Sequence, residues 1–231
     1  MIRTVAGSCP NCGPDFERRP VARGRDYEYR TTARQEFEFV ACVTCGTLVL
    51  DPRPADEEIA GLYPPHYEPY LFSNLPRLVR LGRDRIQIRK VRAIARWLPS
   101  KATVVDVGCG AGALLRLLKD YGPADARLVG WDFPGPHLEH LTEQGFEVLA
   151  APITSASEPP EADAFVLNQV IEHFAEPDQL LDVLHRALRP GGVIFIETPE
   201  SAGLDAHWFR AGHWGGYHFP RHLVLFDKHN L

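Results

Sequence analysis

Four of the five cysteines form two pairs of equal spacing, and this pattern is typical of a metal site. Two residues separate Cys9 from Cys12 and Cys42 from Cys45, and a glycine follows each pair. A C-x-x-C turn directs two thiolates at one ion, and four thiolates suit zinc; a redox pair or unlinked thiols are the alternatives. Because four cysteines leave no position open for water, we expect a structural zinc ion in a small zinc ribbon over residues 1–54.

A glycine-rich turn, residues 106–112 (DVGCGAG), is the second group with chemical potential. Its glycines permit a tight turn and a close approach by a ligand, and the next helix begins with free N–H groups. The spacing differs from the G-x-G-x-x-G of dinucleotide sites, and Asp106 suits a ligand with an ammonium and a sulfonium better than a pyrophosphate. Asp132, at the end of the next strand, suits the two hydroxyls of a ribose. A tight turn that binds nothing is the alternative, but strand, acid, glycines, helix, strand and second acid occur here in order.

The elements that must position these residues alternate between strand and helix from residue 102 onward. Short apolar or β-branched runs predict strands, and amphipathic runs that end at glycine or proline predict helices. The predicted strands are 103–107, 127–131, 147–150, 164–169 and 193–197, and the predicted helices are 113–121, 137–144 and 178–188. This alternation predicts an α/β fold with a doubly wound, mostly parallel, Rossmann-like sheet and right-handed crossovers.

Residues 55–100, between the cysteines and this sheet, are interpreted as a connector. We expect a short helix at 56–62 and a long amphipathic helix at 76–98. The apolar stripe of the long helix recurs every three, four or seven residues and comprises Leu81, Ile88, Val91, Ala95 and Leu98. The expected organisation is therefore the ribbon at 1–54, the connector, and a ligand-binding α/β domain at 101–231.

Three segments resemble class I S-adenosylmethionine (SAM)-dependent methyltransferases. Residues 104–112 (VVDVGCGAG) resemble the SAM-binding signature of that class. Residues 165–174 (FVLNQVIEHF) and 188–199 (LRPGGVIFIETP) resemble the fourth- and fifth-strand regions of the branch that includes the ubiquinone-pathway O-methyltransferases. The resemblance extends over residues 100–226 and implies SAM as the cofactor.

The resemblance also implies which residues bind SAM. Asp106 is expected near the amino acid moiety, Asp132 at the ribose, and residues 150–153 beside the adenine, although that stretch lacks the acid that the family often has there. Asn168 and Gln169 are expected at the methionine end. The full set of expected cofactor-binding residues is Asp106, Gly108, Cys109, Gly110, Gly112, Asp132, Asn168 and Gln169.

His173 is the first candidate for catalysis. Methyl transfer requires alignment of the acceptor with the methyl group and, for some acceptors, removal of a proton. His173 follows the fourth predicted strand, where the carboxyl ends of strands line a crevice, and the pKa range of histidine suits a general base. The equally weighted alternative is that Glu172 and His173 cap the following segment and orient the loop.

Residues 212–222 (GHWGGYHFPRH) contain the second catalytic candidate, His222. A loop dense in histidine and aromatic residues suits an acceptor pocket, although packing is the expected role for at least half of them. His218 and His222 have the i, i+4 spacing of a helical metal pair, but Pro220 argues against a helix there. Tyr63, Tyr67 and Tyr70 are candidates for a lid over SAM, with core packing as the favoured alternative.

Three classes of function are considered. The first is methyl transfer, O- or C-directed, to a small molecule such as a sugar, a nucleotide sugar or another biosynthetic intermediate. The second is RNA methylation. Residues 101–231 hold 9 basic and 18 acidic side chains, a net charge of −9, and lack the N-P-P-[YFW] motif of base methylation, so both features count against RNA. The third is a module that binds SAM or a partner without activity.

The ends and the apolar content of the chain complete the expectations. No apolar run is long enough for a transmembrane helix and no signal peptide is evident, so we expect a cytoplasmic protein without membrane contact. The chain ends 34 residues after Glu197. The last helix and two antiparallel strands of the family are therefore expected to be missing, through either fragmentation or natural truncation. The sequence leaves the oligomeric state open.

Overall fold

The computed structural model describes residues 1–32, 34–64, 77–209 and 212–231, with side chains from residue 85 onward in the helix that starts at 77. In chain order the elements are β1 (Thr4–Val5), β2 (Arg18–Gly24), β3 (Phe37–Cys42), β4 (Leu48–Leu50), β5 (Arg53–Pro54), α1 (Asp56–Ile59), α2 (Arg77–Ala95), β6 (Thr103–Val107), α3 (Ala113–Tyr121), β7 (Arg127–Asp132), α4 (Pro136–Glu143), β8 (Glu147–Ala150), β9 (Ala162–Asn168), α5 (Pro177–Ala187), β10 (Leu188–Glu197), α6 (Leu204–Trp208) and β11 (Val224–Leu225). None of the described helices combines the length and the apolarity that a membrane span requires.

Two compact units make up the chain, and neither is a continuous segment. One unit spans Met1–Pro65, Gln169–Asp178 and Thr198–Leu231, and the other spans His66–Asn168 and Gln179–Glu197. This grouping differs from the three consecutive parts expected from the sequence. The physical reason is that the C-terminal segment pairs with the ribbon through β11 and β4, and that residues 169–178 contact this segment, where the Leu223 N–H donates to the Glu172 carbonyl at 2.7 Å.

The second unit contains a five-stranded parallel sheet in the order β10-β9-β6-β7-β8. Counted from β6, this is the order 3-2-1-4-5 of the doubly wound Rossmann fold, in which ligands bind at the carboxyl ends of the strands beside the first strand. The predicted Rossmann-like fold is confirmed. Among the described residues, no antiparallel strand joins this sheet.

The central strand β6 is buried at all five positions. A parallel strand in this place is covered on both faces, which explains why TVVDV is a continuous run instead of an alternating one. Val104 lies in one core cluster with Val91 and Ile94 of α2. Complete burial of a side chain of this size contributes about 1.5–3 kcal/mol, so α2 is an integral part of this core. The expected apolar stripe is correct at Val91 and at the partly buried Leu98, which packs against the same cluster, but it omits Ile94.

The boundaries of some elements differ from the prediction. Helix α3 coincides with the predicted 113–121, whereas α2 ends at Ala95 and the chain continues in a turn in which Trp97 N–H donates to the Ile94 carbonyl. Strand β10 begins at Leu188, five residues earlier than predicted, and its register with β9 shifts before Val193. Pro190, Gly191 and Gly192 therefore form an irregularity within the strand.

The first unit contains a four-stranded antiparallel sheet in the order β11-β4-β3-β2. Strand β11 comes from the C-terminal segment, and its Val224 and Leu225 pair with Val49 and Leu48 of β4. All four of these residues are buried. The C-terminal segment therefore extends the sheet of the cysteine ribbon and protects the edge of β4.

Candidate functional site

Two carboxylates, Asp106 and Asp132, lie at the carboxyl ends of the adjacent strands β6 and β7. Only 3% of Asp106 and 6% of Asp132 is exposed to solvent. Asp106 Oδ2 has no hydrogen-bond partner among the described residues. Burial, together with the nearby charge of Asp132, raises the pKa of Asp106 well above its usual value. A cationic ligand group would relieve this crowding of buried acids.

Asp132 also holds the glycine-rich turn in place. Its Oδ2 accepts a hydrogen bond from the Gly110 N–H at 2.7 Å, and its Oδ1 accepts one from the Phe133 N–H at 2.7 Å. Burial raises the pKa of Asp132, although these two hydrogen bonds oppose the shift. Each carboxylate oxygen has a second lone pair that can accept a ligand hydroxyl.

The three glycines of the turn have left-handed backbones, with φ of 67° at Gly108, 51° at Gly110 and 74° at Gly112. Other residues rarely adopt this conformation. Gly112 has a second requirement, because a Cβ there would lie 2.3 Å from Leu141 Cδ2 of helix α4. The third glycine is thus needed for packing between helices, and the first two remain the predicted contacts for SAM.

Cys109 is part of the core and not of an open surface. Its side chain is buried in a cluster with Leu115 and Leu141. Its N–H donates to the Trp131 carbonyl at 3.2 Å, and its carbonyl accepts from the Gly112 N–H at 2.8 Å. The predicted role of Cys109 in binding SAM is therefore restricted to the shape that its backbone gives the turn.

His137 was not among the predicted residues, yet it lies beside Asp132. Its Nε2 is 4.0 Å from Asp132 Oδ1 at the start of α4. Burial lowers the pKa of His137, and the neighbouring carboxylate opposes that shift. The available signal was the position of His137 five residues after the acid, at the first turn of the following helix.

The remaining expected SAM contacts follow other strands. Asn168 is the last residue of β9 and pairs with Glu197 of β10. Gln169, the first residue of the segment that joins the other unit, has a φ of 60°, which is uncommon for a residue that is not glycine. After β8, the Ala151 N–H donates to the Asp132 carbonyl at 3.1 Å.

The four ribbon cysteines form one cluster. Their sulfur atoms all lie within 4.8 Å of one another, and the Sγ atoms of Cys9 and Cys45 are 3.5 Å apart. The two turns have the same form. Gly13 donates to the Cys9 carbonyl at 2.8 Å and Gly46 to the Cys42 carbonyl at 2.9 Å, and both glycines have a φ of 82°.

The pKa values of Cys9 and Cys45 are shifted in opposite directions within this cluster. Burial and the neighbouring Cys45 raise the pKa of Cys9 to about 12. Burial opposes ionisation of Cys45 as well, but hydrogen bonds with the side chain and the backbone of Thr47 lower its pKa to about 6. The thiolate of Cys45 is thus favoured without a metal, whereas Cys9 needs a nearby cation to ionise.

A second cluster in the first unit contains His173, His218 and His222. The ring centroids of His173 and His222 are 4.7 Å apart, and those of His218 and His222 are 5.0 Å apart. Nδ1 of His222 lies 2.7 Å from the Gly216 carbonyl oxygen. A carbonyl only accepts hydrogen bonds, so Nδ1 carries the proton of this neutral ring.

His173 is held by two contacts at Nδ1. The Arg221 carbonyl oxygen and the Tyr63 hydroxyl each lie 3.0 Å from this atom. Burial lowers the pKa of His173 to about 4, against the hydrogen bonds to the carbonyls of Arg221 and Gln169. Burial also lowers the pKa of His222 well below its usual value. Both rings are neutral at pH 7.

Glu172 lies beside these histidines and is wholly buried. The Thr198 hydroxyl donates to its Oε2 at 2.8 Å, and its Oε1 is 3.8 Å from His222 Nε2. One ligand atom each from Glu172, His173 and His222 lies within 4.8 Å of the others. The sequence signal for Glu172 was an acid beside a histidine at the end of an apolar run.

The other aromatic residues of the C-terminal stretch mostly pack. Trp214 and Tyr217 are buried, and the ring of Tyr217 lies 5.3 Å from that of Phe39 in the ribbon sheet. His213 is exposed. Of the three tyrosines considered for a lid, Tyr67 and Tyr70 lie outside the described residues, and Tyr63 contacts His173.

A sequence profile described as a methyltransferase domain matches residues 79–231, which is more than half of the chain. The chain belongs to this methyltransferase family. The match confirms the resemblance to SAM-dependent methyltransferases that the motifs around Asp106 indicated.

Individual relatives match only a part of the chain. It is 30% identical over 116 residues to a ubiquinone biosynthesis O-methyltransferase from Thiobacillus denitrificans, a match that covers 45% of this chain and 49% of the relative. It is 34% identical over 114 residues to a trans-aconitate 2-methyltransferase from Variovorax paradoxus, covering 48% and 43%. The chain thus spans about half the length of these curated relatives. A crystal structure of a SAM-dependent methyltransferase from Archaeoglobus fulgidus is 21% identical, with a TM-score of 0.49 over 62% of this chain and 63% of that one.

The residues at the ends of β6 and β7 fit SAM, the cofactor that the resemblance implies. SAM carries an ammonium and a sulfonium, and the buried Asp106 has an oxygen without a partner among the described residues. SAM also carries a ribose, and Asp132 retains lone pairs beside its backbone hydrogen bonds. The donor set of the four cysteines likewise fits zinc.

Proposed function

We propose that this methyltransferase transfers the methyl group of SAM to a small-molecule acceptor. The observation that carries the proposal is the pair of buried carboxylates, Asp106 and Asp132, at the ends of adjacent strands. Support also comes from the relatives, which are named for ubiquinone biosynthesis and for trans-aconitate, both small molecules. The acceptor class is a sugar, a nucleotide sugar or another biosynthetic intermediate, methylated at oxygen or carbon.

The proposed cofactor contacts follow from the chemistry of each group. SAM supplies a methyl group activated by its sulfonium. Asp106 pairs with the ammonium, and Asp132 accepts hydrogen bonds from the ribose. The turn at Gly108 and Gly110 lets the cofactor approach the backbone, with Cys109 and Gly112 maintaining its shape. Asn168 and Gln169 border the methionine end.

His173 and His222 are the side chains that we propose act on the acceptor. A neutral imidazole can accept the proton that an acceptor hydroxyl or carbon loses. The low pKa of His173, about 4, keeps the ring neutral at physiological pH. It also makes the ring a weak base, so this role suits an acceptor whose proton is already acidic.

The four cysteines, Cys9, Cys12, Cys42 and Cys45, are proposed to bind a structural zinc ion. With four sulfur ligands the ion has no open position for chemistry, so its contribution is to the folding of the ribbon. Thiolates that bind zinc must stay reduced, and we therefore place the protein in the cytoplasm.

The activity is tested by incubating the protein with methyl-labelled SAM and separate panels of sugars, nucleotide sugars, phenols and transfer RNA. Label in one of the small molecules, reduced in His173→Ala, is the expected result. Label in transfer RNA alone would contradict the acceptor class. SAM binding without transfer to any panel would favour a binding module instead of an enzyme.

A further inference from the structure

Glu172 and His222 bring two electron-pair donors together in the interior of the first unit. Their facing atoms, Oε1 and Nε2, are 3.8 Å apart, and 0% of Glu172 and 6% of His222 is exposed. The ring proton of His222 lies on Nδ1, against the Gly216 carbonyl, so Nε2 presents a lone pair to the carboxylate. Two electron-rich atoms that face each other away from water are stabilised by a cation between them.

His173 completes a set of three ligands. One nitrogen of its ring lies within 4.8 Å of the ligand atoms of Glu172 and His222. Two imidazoles and one carboxylate are a common ligand set for zinc and for iron(II), and they leave coordination positions open. Ligands at about 2.0–2.2 Å from one ion lie about 3–3.5 Å apart. Separations of up to 4.8 Å between the ligand atoms therefore have to shorten by up to about 1.8 Å when an ion binds.

Each of the three side chains is held by a further group, as is typical of metal ligands. The Arg221 carbonyl contacts Nδ1 of His173, and the Gly216 carbonyl contacts Nδ1 of His222. The Thr198 hydroxyl donates to the oxygen of Glu172 that does not face His222. Such outer contacts fix the tautomer and orientation of metal ligands.

From this arrangement we infer that Glu172, His173 and His222 bind a divalent transition-metal ion, at a second site separate from the four cysteines. Imidazole and carboxylate ligands select zinc, iron(II), cobalt(II) or nickel(II) over calcium and magnesium, which prefer oxygen ligands alone. With three protein ligands, the ion retains positions for water or for a ligand oxygen.

This second site has a consequence for the acceptor, and that consequence rests on the proposed function. A histidine nitrogen that binds an ion cannot also take a proton, so with the ion bound His173 and His222 would act on the acceptor as ligands of the ion and not as bases. An acceptor hydroxyl bound to the ion would lose its proton more readily, because a bound cation lowers the pKa of an attached oxygen. Metal binding itself does not depend on methyl transfer.

The test is a titration of the full chain with cobalt(II) chloride, followed by visible absorption and calorimetry. The protein is first loaded with one zinc ion per chain at the cysteines and freed of excess zinc. Glu172→Gln and His222→Gln remove one ligand each. His218→Asn is the matched control, because His218 lies 5.0 Å from His222, contacts Glu28 at 3.1 Å and has a left-handed backbone that asparagine tolerates.

We expect the wild type and His218→Asn to bind one cobalt ion without the charge-transfer absorption of thiolate ligands. Glu172→Gln and His222→Gln should each bind it at least about tenfold more weakly. The inference is overturned if the folded, zinc-loaded wild type binds no second ion at millimolar cobalt, or if all three variants behave alike. If Glu172→Gln fails to fold, the affinity of His222→Gln for cobalt and the number of cobalt ions bound per wild-type chain still test the inference.

Titration of the same samples with S-adenosylhomocysteine separates this inference from the proposed function. Cobalt binding without S-adenosylhomocysteine binding would leave the metal site standing and remove the proposed function. The reverse result would remove the metal site alone.

Discussion

Arg221 and Asp26 form an ion pair whose side chains are both wholly inaccessible to solvent, with Nη2 and Oδ2 3.0 Å apart. The guanidinium also donates from Nη1 to Asp26 and from Nε to the Leu62 carbonyl. The carbonyl of Arg221 in turn contacts His173. This pair connects the beginning of the chain to its C-terminal segment, at the histidine cluster.

Removal of one partner should therefore destabilise the first unit strongly. We expect Asp26→Asn to lower the free energy of unfolding by about 3–5 kcal/mol at pH 7, because it leaves a buried guanidinium without its counter-charge. The double variant Asp26→Leu/Arg221→Met should lose clearly less. Urea unfolding measures both, and equal losses in the two variants would show that the charge pair is not the cause.

The hydrophobic pattern of the sequence predicts the second unit well. β6 is a continuous β-branched run, and α3 has an amphipathic stripe that ends before Gly122, so each element is specified by local residues. The acid at the end of β6 could also be placed, because its position follows from the strand itself. Local periodicity was sufficient to predict the sheet, whereas the cofactor residues were implied by the resemblance of the glycine-rich turn to the SAM-binding signature and stay a prediction.

The first unit could not be predicted in this way. The pairing of β11 with β4 joins two short apolar runs, and neither run indicates its partner. The Arg221–Asp26 pair joins residues 195 positions apart. His222 and Glu172 are also far apart in the chain, so their contact could not be predicted from local patterns. The sequence therefore indicated His173 and His222 as catalytic candidates but not the role of Glu172, which lies beside both histidines and accepts a hydrogen bond from Thr198.

The pH dependence of stability should reveal Asp26. Burial alone would raise the pKa of this carboxyl, but hydrogen bonds from Arg221, Thr31 and the Tyr29 N–H outweigh it and hold the pKa far below its usual value. A depressed pKa in the folded state contributes stability that is fully present above the unfolded pKa of about 3.9. That stability is lost as the pH falls further.

We therefore expect the stability of the wild type to approach that of Asp26→Leu/Arg221→Met as the pH falls from about 4 to about 2. Comparison with the double variant cancels the contribution of other carboxyls. The measurement is urea unfolding at a series of pH values. A difference that stays constant over this range would mean that Asp26 has an ordinary pKa.

Gly112→Ala should disrupt the packing of α3 against α4. The new Cβ would overlap Leu141, and the left-handed φ of 74° adds backbone strain of about 1–3 kcal/mol. Gly145→Ala is the matched control, because Gly145 has a φ of 82° and a Cβ added there would have no atom of the described residues within 4 Å. Thermal unfolding should show a larger loss for Gly112→Ala and partial rescue by Leu141→Ala. Equal losses of stability at the two glycines would mean that backbone strain alone causes the effect and that overlap with Leu141 does not contribute.

Loss of the ribbon cysteines should remove zinc and unfold the ribbon sheet. We expect Cys42→Ser to abolish stoichiometric zinc and to expose the amides of β3 and β4 to hydrogen exchange. Cys109→Ala, which alters the cysteine outside the ribbon, should retain one zinc ion at the cysteines. Elemental analysis that finds no zinc in wild type purified without chelator would refute the zinc ribbon.

The central claim is that the ends of β6 and β7 bind SAM, and calorimetric titration with S-adenosylhomocysteine tests it most directly. NADH is the control ligand, and Asp120→Ala, an exposed acid on α3, is the control for Asp132→Ala. We expect the wild type and Asp120→Ala to bind S-adenosylhomocysteine and not NADH, and Asp132→Ala to lose that binding. Failure of the folded, zinc-loaded wild type to bind S-adenosylhomocysteine, or unchanged binding by Asp132→Ala, would contradict the claim.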